Sequence, residues 1–115
     1  MILAHSFPVA LTKVPVTFNQ DMKALVVNEC YDPEYVFSFL QYKKDTVLSM
    51  TTTTTHGTKR LATDTLFDLK IPILTKDEQA EFLAELRSAK SAYNNLGKSI
   101  YDIDMLLHSF VNQVF

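Results

Sequence analysis

The densest set of side chains able to make polar contacts runs from Thr51 to Arg60: five consecutive threonines, then His56, Gly57, Thr58, Lys59 and Arg60. Hydroxyls bond phosphate oxygens and base edges, Lys neutralises phosphate, and Arg can grip a guanine edge with two parallel donors. Such a cluster suits contact with a polyanion, above all a nucleic acid. Thr53, Thr55, His56, Thr58, Lys59 and Arg60 are the contact candidates. The bland alternative is a solvated link, since Thr-rich polar stretches are common on surfaces. Threonine disfavours helix, Gly57 permits a sharp turn, and nothing apolar between Met50 and Leu61 could anchor the segment, so an exposed loop is expected. Lys13, Lys23, Lys43 and Lys44 read as solvated surface.

No catalytic constellation accompanies the loop. His5, His56 and His108 lie far apart, and Cys30 has no Cys or His at ligand spacing, so neither a metal site nor a cofactor is expected. Two glycines in all leave no phosphate-cradling loop, and no strand–nucleophile–helix turn surrounds a serine. Lys and Arg number 11 against 13 Asp and Glu, for a net charge of −2, so no basic tail advertises nucleic acid. Phosphate contact depends on where cations cluster and not on their sum. The lone Cys30, the lack of a leader and the lack of a long apolar run point to a reduced, soluble, cytoplasmic protein without a membrane partner.

The elements that would position the loop begin with short β-like runs: Ile2 to His5, Val9 to Lys13, Val14 to Phe18 and Lys23 to Asn28, punctuated by Pro8, Pro15 and the polar turn Asn19-Gln20-Asp21. At Asp32-Pro33-Glu34 the pattern changes. Asp caps, Pro suits the first helical position and Glu favours the positive end of the dipole, so a helix should run to about Lys44 or Ser49. Its face of Val36, Phe37, Leu40, Val47 and Leu48 would cover the sheet, with Tyr42, Lys43 and Lys44 nearer to solvent. Thr63 or Asp64 could cap a single turn containing Leu66, Phe67 and Leu69, and Lys70 to Ile73 would be extended.

From Thr75 onward the pattern is a long helix. Thr75 and Glu78 form a capping box, and Pro72 blocks an earlier start. Phe82, Leu86, Ala89, Tyr93, Leu96, Ile100, Ile103, Leu107, Phe110 and Val114 alternate steps of four and three, which puts one apolar seam on one face. Extended to Phe115 the helix would span roughly 60 Å. It projects beyond a body of some 75 residues, about 25 Å across, and so asks for a partner helix. The expected fold is therefore α+β: a small mixed β/α half-domain over residues 1–74, then one long coiled-coil helix over residues 75–115.

Several of these stretches carry a resemblance. Thr55 to Leu61, the short helix ending at Leu69, Ile71 and Pro72, and Glu78-Gln79 opening a long helix resemble the specificity subunits of type I restriction-modification enzymes. In that family a target recognition domain ends in a Gly/Thr-bearing loop, a short helix and an "I-P-x-P-x-x-x-E-Q" passage into a spacer helix. Asn19-Gln20-Asp21-x-x-Ala24-Leu25 and Pro33-x-Tyr35 resemble further family segments. Leu74 stands where the family has its second proline, and His5-Ser6-Phe7-Pro8 replaces an early "G-x-x-G" turn.

The resemblance implies a non-catalytic DNA-recognition module, truncated to the C-terminal part of one recognition domain plus its spacer helix. Its implied partners are double-stranded DNA, the methyltransferase subunits and the restriction subunit, with methylation and cleavage carried by those subunits. The helices of two copies, or of one copy and another specificity subunit, would pair antiparallel. The alternative is a remnant or fragment acting only through its coiled coil, without reading DNA.

Overall fold

The computed structural model describes residues 2–3, 7–53 and 59–95. Its elements are β1 (Ile2–Leu3), α1 (Pro33–Tyr42), α2 (Lys44–Ser49), β2 (Thr52–Thr53), β3 (Lys59–Arg60), α3 (Thr63–Phe67) and α4 (Lys76–Asn95). The expected α+β half-domain is not what forms, because the described residues are organised by helices. Regular extended pairing is confined to three strands of two residues each, antiparallel in the order β1-β3-β2. The runs from Val9 to Lys13, Val14 to Phe18 and Lys23 to Asn28 contain no strand. Branched residues suit a pleated surface only where a neighbouring strand completes the ladder. Met22 N–H donating to Asn19 O at 3.2 Å closes a turn between two of these runs, which do not pair with each other.

The helix starts follow the sequence more closely. Asp32 lies in the extended region and its carboxylate accepts from Glu34 N–H at 2.8 Å, with Pro33 at the first helical position. Thr75 and Glu78 form the reciprocal capping box, with Thr75 N–H donating to Glu78 at 3.3 Å and Glu78 N–H donating to Thr75 Oγ1 at 3.2 Å. α3 departs from expectation. Its cap is Ala62, which has no side chain to cap with. The single helix expected from Pro33 to Lys44 or Ser49 is two, parted at Lys43, whose backbone (φ −83°, ψ 5°) leaves the helical range. Lys43 Nζ sits 5.2 Å from the centre of the Tyr42 ring.

Two apolar clusters hold the elements together. Phe7, Phe39, Leu40, Val47, Leu61 and Leu66 form one, so α1 and α2 cover α3 and the start of the chain instead of a sheet. Tyr35, Phe82, Leu83 and Leu86 form the other, joining α1 to α4. Ile71 packs on both. Tyr42, expected towards solvent, packs on the second cluster. Full burial of side chains of this size contributes about 1.5 to 3 kcal/mol each. By contrast Val14, Val16, Phe18, Met22, Leu25 and Val26 are exposed, Val26 almost completely at 96%.

Candidate functional site

The loop candidates are framed by a narrow antiparallel ribbon. Thr52 faces Arg60 and Thr53 faces Lys59 in register, so the stretch expected to be loop throughout is paired at both ends. The Thr52 hydroxyl donates to Arg60 O at 3.5 Å. β-Branched threonines fit the pleat, which explains why this end of the Thr run is a strand. β3 is the central strand, with β1 on its other side. Arg60 is exposed and the next residue, Leu61, is fully buried, as alternation along an extended chain requires. Leu61 thus anchors the ribbon in the first cluster and leaves the Arg60 guanidinium in solvent. Thr55, His56 and Thr58 lie outside the described residues; Thr53 and Lys59 are placed by their strands alone.

The other cations are differently disposed. Lys13 donates to the Glu34 carboxylate at 3.2 Å, and Arg87 pairs with the same carboxylate from α4. Arg87 first and Lys13 second hold the Glu34 carboxyl below its usual range against the opposing effect of burial. Lys23 and Lys44 are exposed.

Apart from the ribbon, Tyr35 and Gln79 form a joint between the entrance of α1 and that of α4. The Gln79 side chain is fully buried at 0% exposure. Its carbonyl accepts from Asp32 N–H at 2.6 Å, and its amide N–H groups donate to Cys30 O and Leu74 O, each at 2.9 Å. The Tyr35 hydroxyl donates to Pro72 O at 2.9 Å. Its ring meets Phe82 edge-on at 5.7 Å and stacks on Tyr31 at 6.4 Å. Burial, with a smaller effect of Tyr31, pushes the Tyr35 hydroxyl up to about 12. Asn28 prepares the approach by accepting from Cys30 N–H at 2.9 Å. A signal for Gln79 was present, since the four-three seam extends back one step from Phe82 to residue 79 and finds a polar residue at an apolar register.

The seam itself divides. Phe82 and Leu86, expected at a dimer interface, are buried against Tyr35 within the chain. Their burial follows from the joint, which lays the first turns of α4 on α1. Ala89 and Tyr93 are half-buried on the remainder of α4. Leu96, Ile100, Ile103, Leu107, Phe110 and Val114 lie outside the described residues. Among the described residues no group of three or more His, Cys, Asp or Glu could hold a metal ion, and no helix is long and apolar enough to cross a membrane.

Tyr35, Pro72 and Gln79, which meet in the joint, are among the residues that carry the resemblance to type I specificity subunits, and comparison with known proteins returns the same class. Over 99 residues, 86% of this chain, it is 28% identical to a curated specificity subunit. That relative is the type I restriction enzyme EcoR124I/EcoR124II specificity subunit of Escherichia coli, and the match covers 24% of its length. The chain is therefore similar to a piece of a type I specificity subunit and spans about a quarter of that relative. No family model and no solved structure matches it.

Proposed function

We propose that the chain is a DNA-recognition module of a type I restriction-modification system, itself without catalysis. The match across 86% of the chain to a type I specificity subunit is the observation that supports this reading. In it residues 1–74 form the recognition part and residues 75–115 the spacer, with the first turns of α4 seated on the recognition part. Lys59 and Arg60 supply charge from β3, and Thr53, Thr55, His56 and Thr58 supply hydrogen bonds to duplex DNA. The seam from Ala89 onward pairs antiparallel with a second such helix. The pair seats the methyltransferase subunits and, in the complete enzyme, the restriction subunit.

Salt-dependent binding of a fluorescent duplex tests it. The isolated chain should bind with non-specific affinity, around 10⁻⁴ to 10⁻⁶ M, falling as salt rises. Lys59→Ala with Arg60→Ala should lower the slope of log affinity against log salt by about two, whereas Lys43→Ala with Lys44→Ala should change it little. Equal weakening by the two charge-matched pairs would make the 53–60 segment a linker. A second reading, a coiled-coil interaction module that reads no DNA, draws support from the quarter-length match. Absence of any duplex binding, alone or with methyltransferase subunits, would favour it.

A further inference from the structure

The Gln79 amide engages backbone groups at the entrances of two helices, α1 and its own α4. Cys30 O and Asp32 N–H belong to the entrance of α1, Leu74 O to the entrance of α4, and Gln79 itself to the first turn of α4. Only a carboxamide can accept one bond and donate two from the end of a side chain of this length. An apolar residue at the same register would pack on Tyr35 and Phe82, but apolar packing is non-directional and would tolerate a range of helix tilts. Hydrogen bonds weaken steeply with misalignment, so the two that cross from this buried group to the entrance of α1, with the third tying it to its own lead-in, define an angle.

We propose that Gln79 is the positioning residue that sets the direction in which α4 leaves the body of the chain, and hence where a partner helix would hold β3 relative to DNA. Its purpose rests on the function proposed above; the orientation itself belongs to the isolated chain. The lever is long. α4 has 20 residues, about 30 Å at 1.5 Å per residue, so a tilt of about 10° at its base moves its far end by about 5 Å. That exceeds the rise of one base pair, about 3.4 Å, so a loosely held helix would lose its register on a duplex. Tyr35 shares the joint, where its hydroxyl donates to Pro72 O and its ring packs on Tyr31 and Phe82.

Pulsed electron spin resonance on the full chain tests the proposal. Spin labels at Gln41→Cys on α1 and Asn94→Cys on α4, in a Cys30→Ser background, should give one narrow distance. Gln79→Met keeps the length and removes all three bonds, so with helicity retained by circular dichroism the distance should broaden or move by about 4 Å. Gln79→Glu adds a discriminating readout. Ionised, its carboxylate faces the carbonyls of Cys30 and Leu74 and the distribution should be broad; protonated, it donates one bond and accepts another, so acidification should narrow the distribution towards that of the parent. A Gln79→Met distribution as narrow as the parent's, or a Gln79→Glu distribution that ignores pH, overturns the proposal and leaves Gln79 an ordinary buried polar group. Either variant alone decides the matter. Failure of the parent chain to bind DNA would remove the proposed function without changing this result.

Discussion

The joint around Tyr35 and Gln79 and the arm from Val9 to Val27 have similar apolar content and opposite fates. In the joint the bonds that tie α1 to the α4 end come from far along the chain: Tyr35 reaches Pro72, and Gln79 reaches Cys30 and Asp32. No buried side-chain nitrogen or oxygen among the described residues is left without a partner. The arm holds Val14, Val16, Phe18, Met22 and Val26 more than half exposed, and the Met22 N–H bond to Asn19 O closes a local turn within it. The difference teaches that apolar side chains are necessary for order but do not produce it. The joint combines them with directional bonds that a helix start can present, whereas the arm needs a strand partner and the described chain supplies none.

Substitution should expose this difference directly. Tyr35→Ala removes a fully buried ring and the bond to Pro72, and should cost about 3 to 5 kcal/mol in urea unfolding. Val26→Ser should change stability by no more than about 0.5 kcal/mol. Comparable losses at the two sites would mean that the arm is covered in solution.

Alkaline pH should weaken the joint next most strongly. The Tyr35 hydroxyl is raised from 10 to about 12, so the neutral form is favoured by folding. Its contribution is fully present below pH 10 and is lost as pH rises towards 12. A stability profile should therefore fall across that window, and Tyr35→Phe should flatten the fall. An unchanged slope in Tyr35→Phe would assign the loss to another group.

A smaller effect separates the two parts of the seam. Under the proposed pairing, Tyr93→Asp should weaken self-association in sedimentation by about tenfold or more, equivalent to about 1.4 kcal/mol. The helicity of the body should persist, because Tyr93 lies beyond the second cluster. Phe82→Asp should instead unfold the joint, since it buries a charge against Tyr35. A parent chain that sediments as a monomer at tens of micromolar would end the pairing proposal.

The surface triad should matter least. Arg87→Ala should raise the Glu34 titration towards its ordinary value of 4.5 in a carbonyl-detected NMR titration. Because the folded value is depressed, the triad's contribution is present above the unfolded value and is lost as pH falls through the folded one. With Arg87 and Lys13 side chains 64% and 72% exposed, the effect on stability should stay below about 1 kcal/mol.

Local signals in the sequence determined the helix starts and the class of relative. Asp32-Pro33-Glu34 and Thr75 with Glu78 act within three residues, and each encodes its own cap wherever the helix later packs. The resemblance likewise needed only order and spacing. Tertiary structure decided the rest. The runs from Val9 to Asn28 looked like strands by residue type, but a strand is defined by its neighbour. The Thr-rich stretch looked like a loop, but its ends found each other and Ile2–Leu3 across β3. Phe82 and Leu86 belonged to a seam by period, yet were drawn inward because Gln79, one step earlier in the same register, binds backbone groups up to 49 positions away. A one-dimensional pattern can mark a polar residue in an apolar register; only the folded chain supplies the carbonyls and the N–H group that its amide needs.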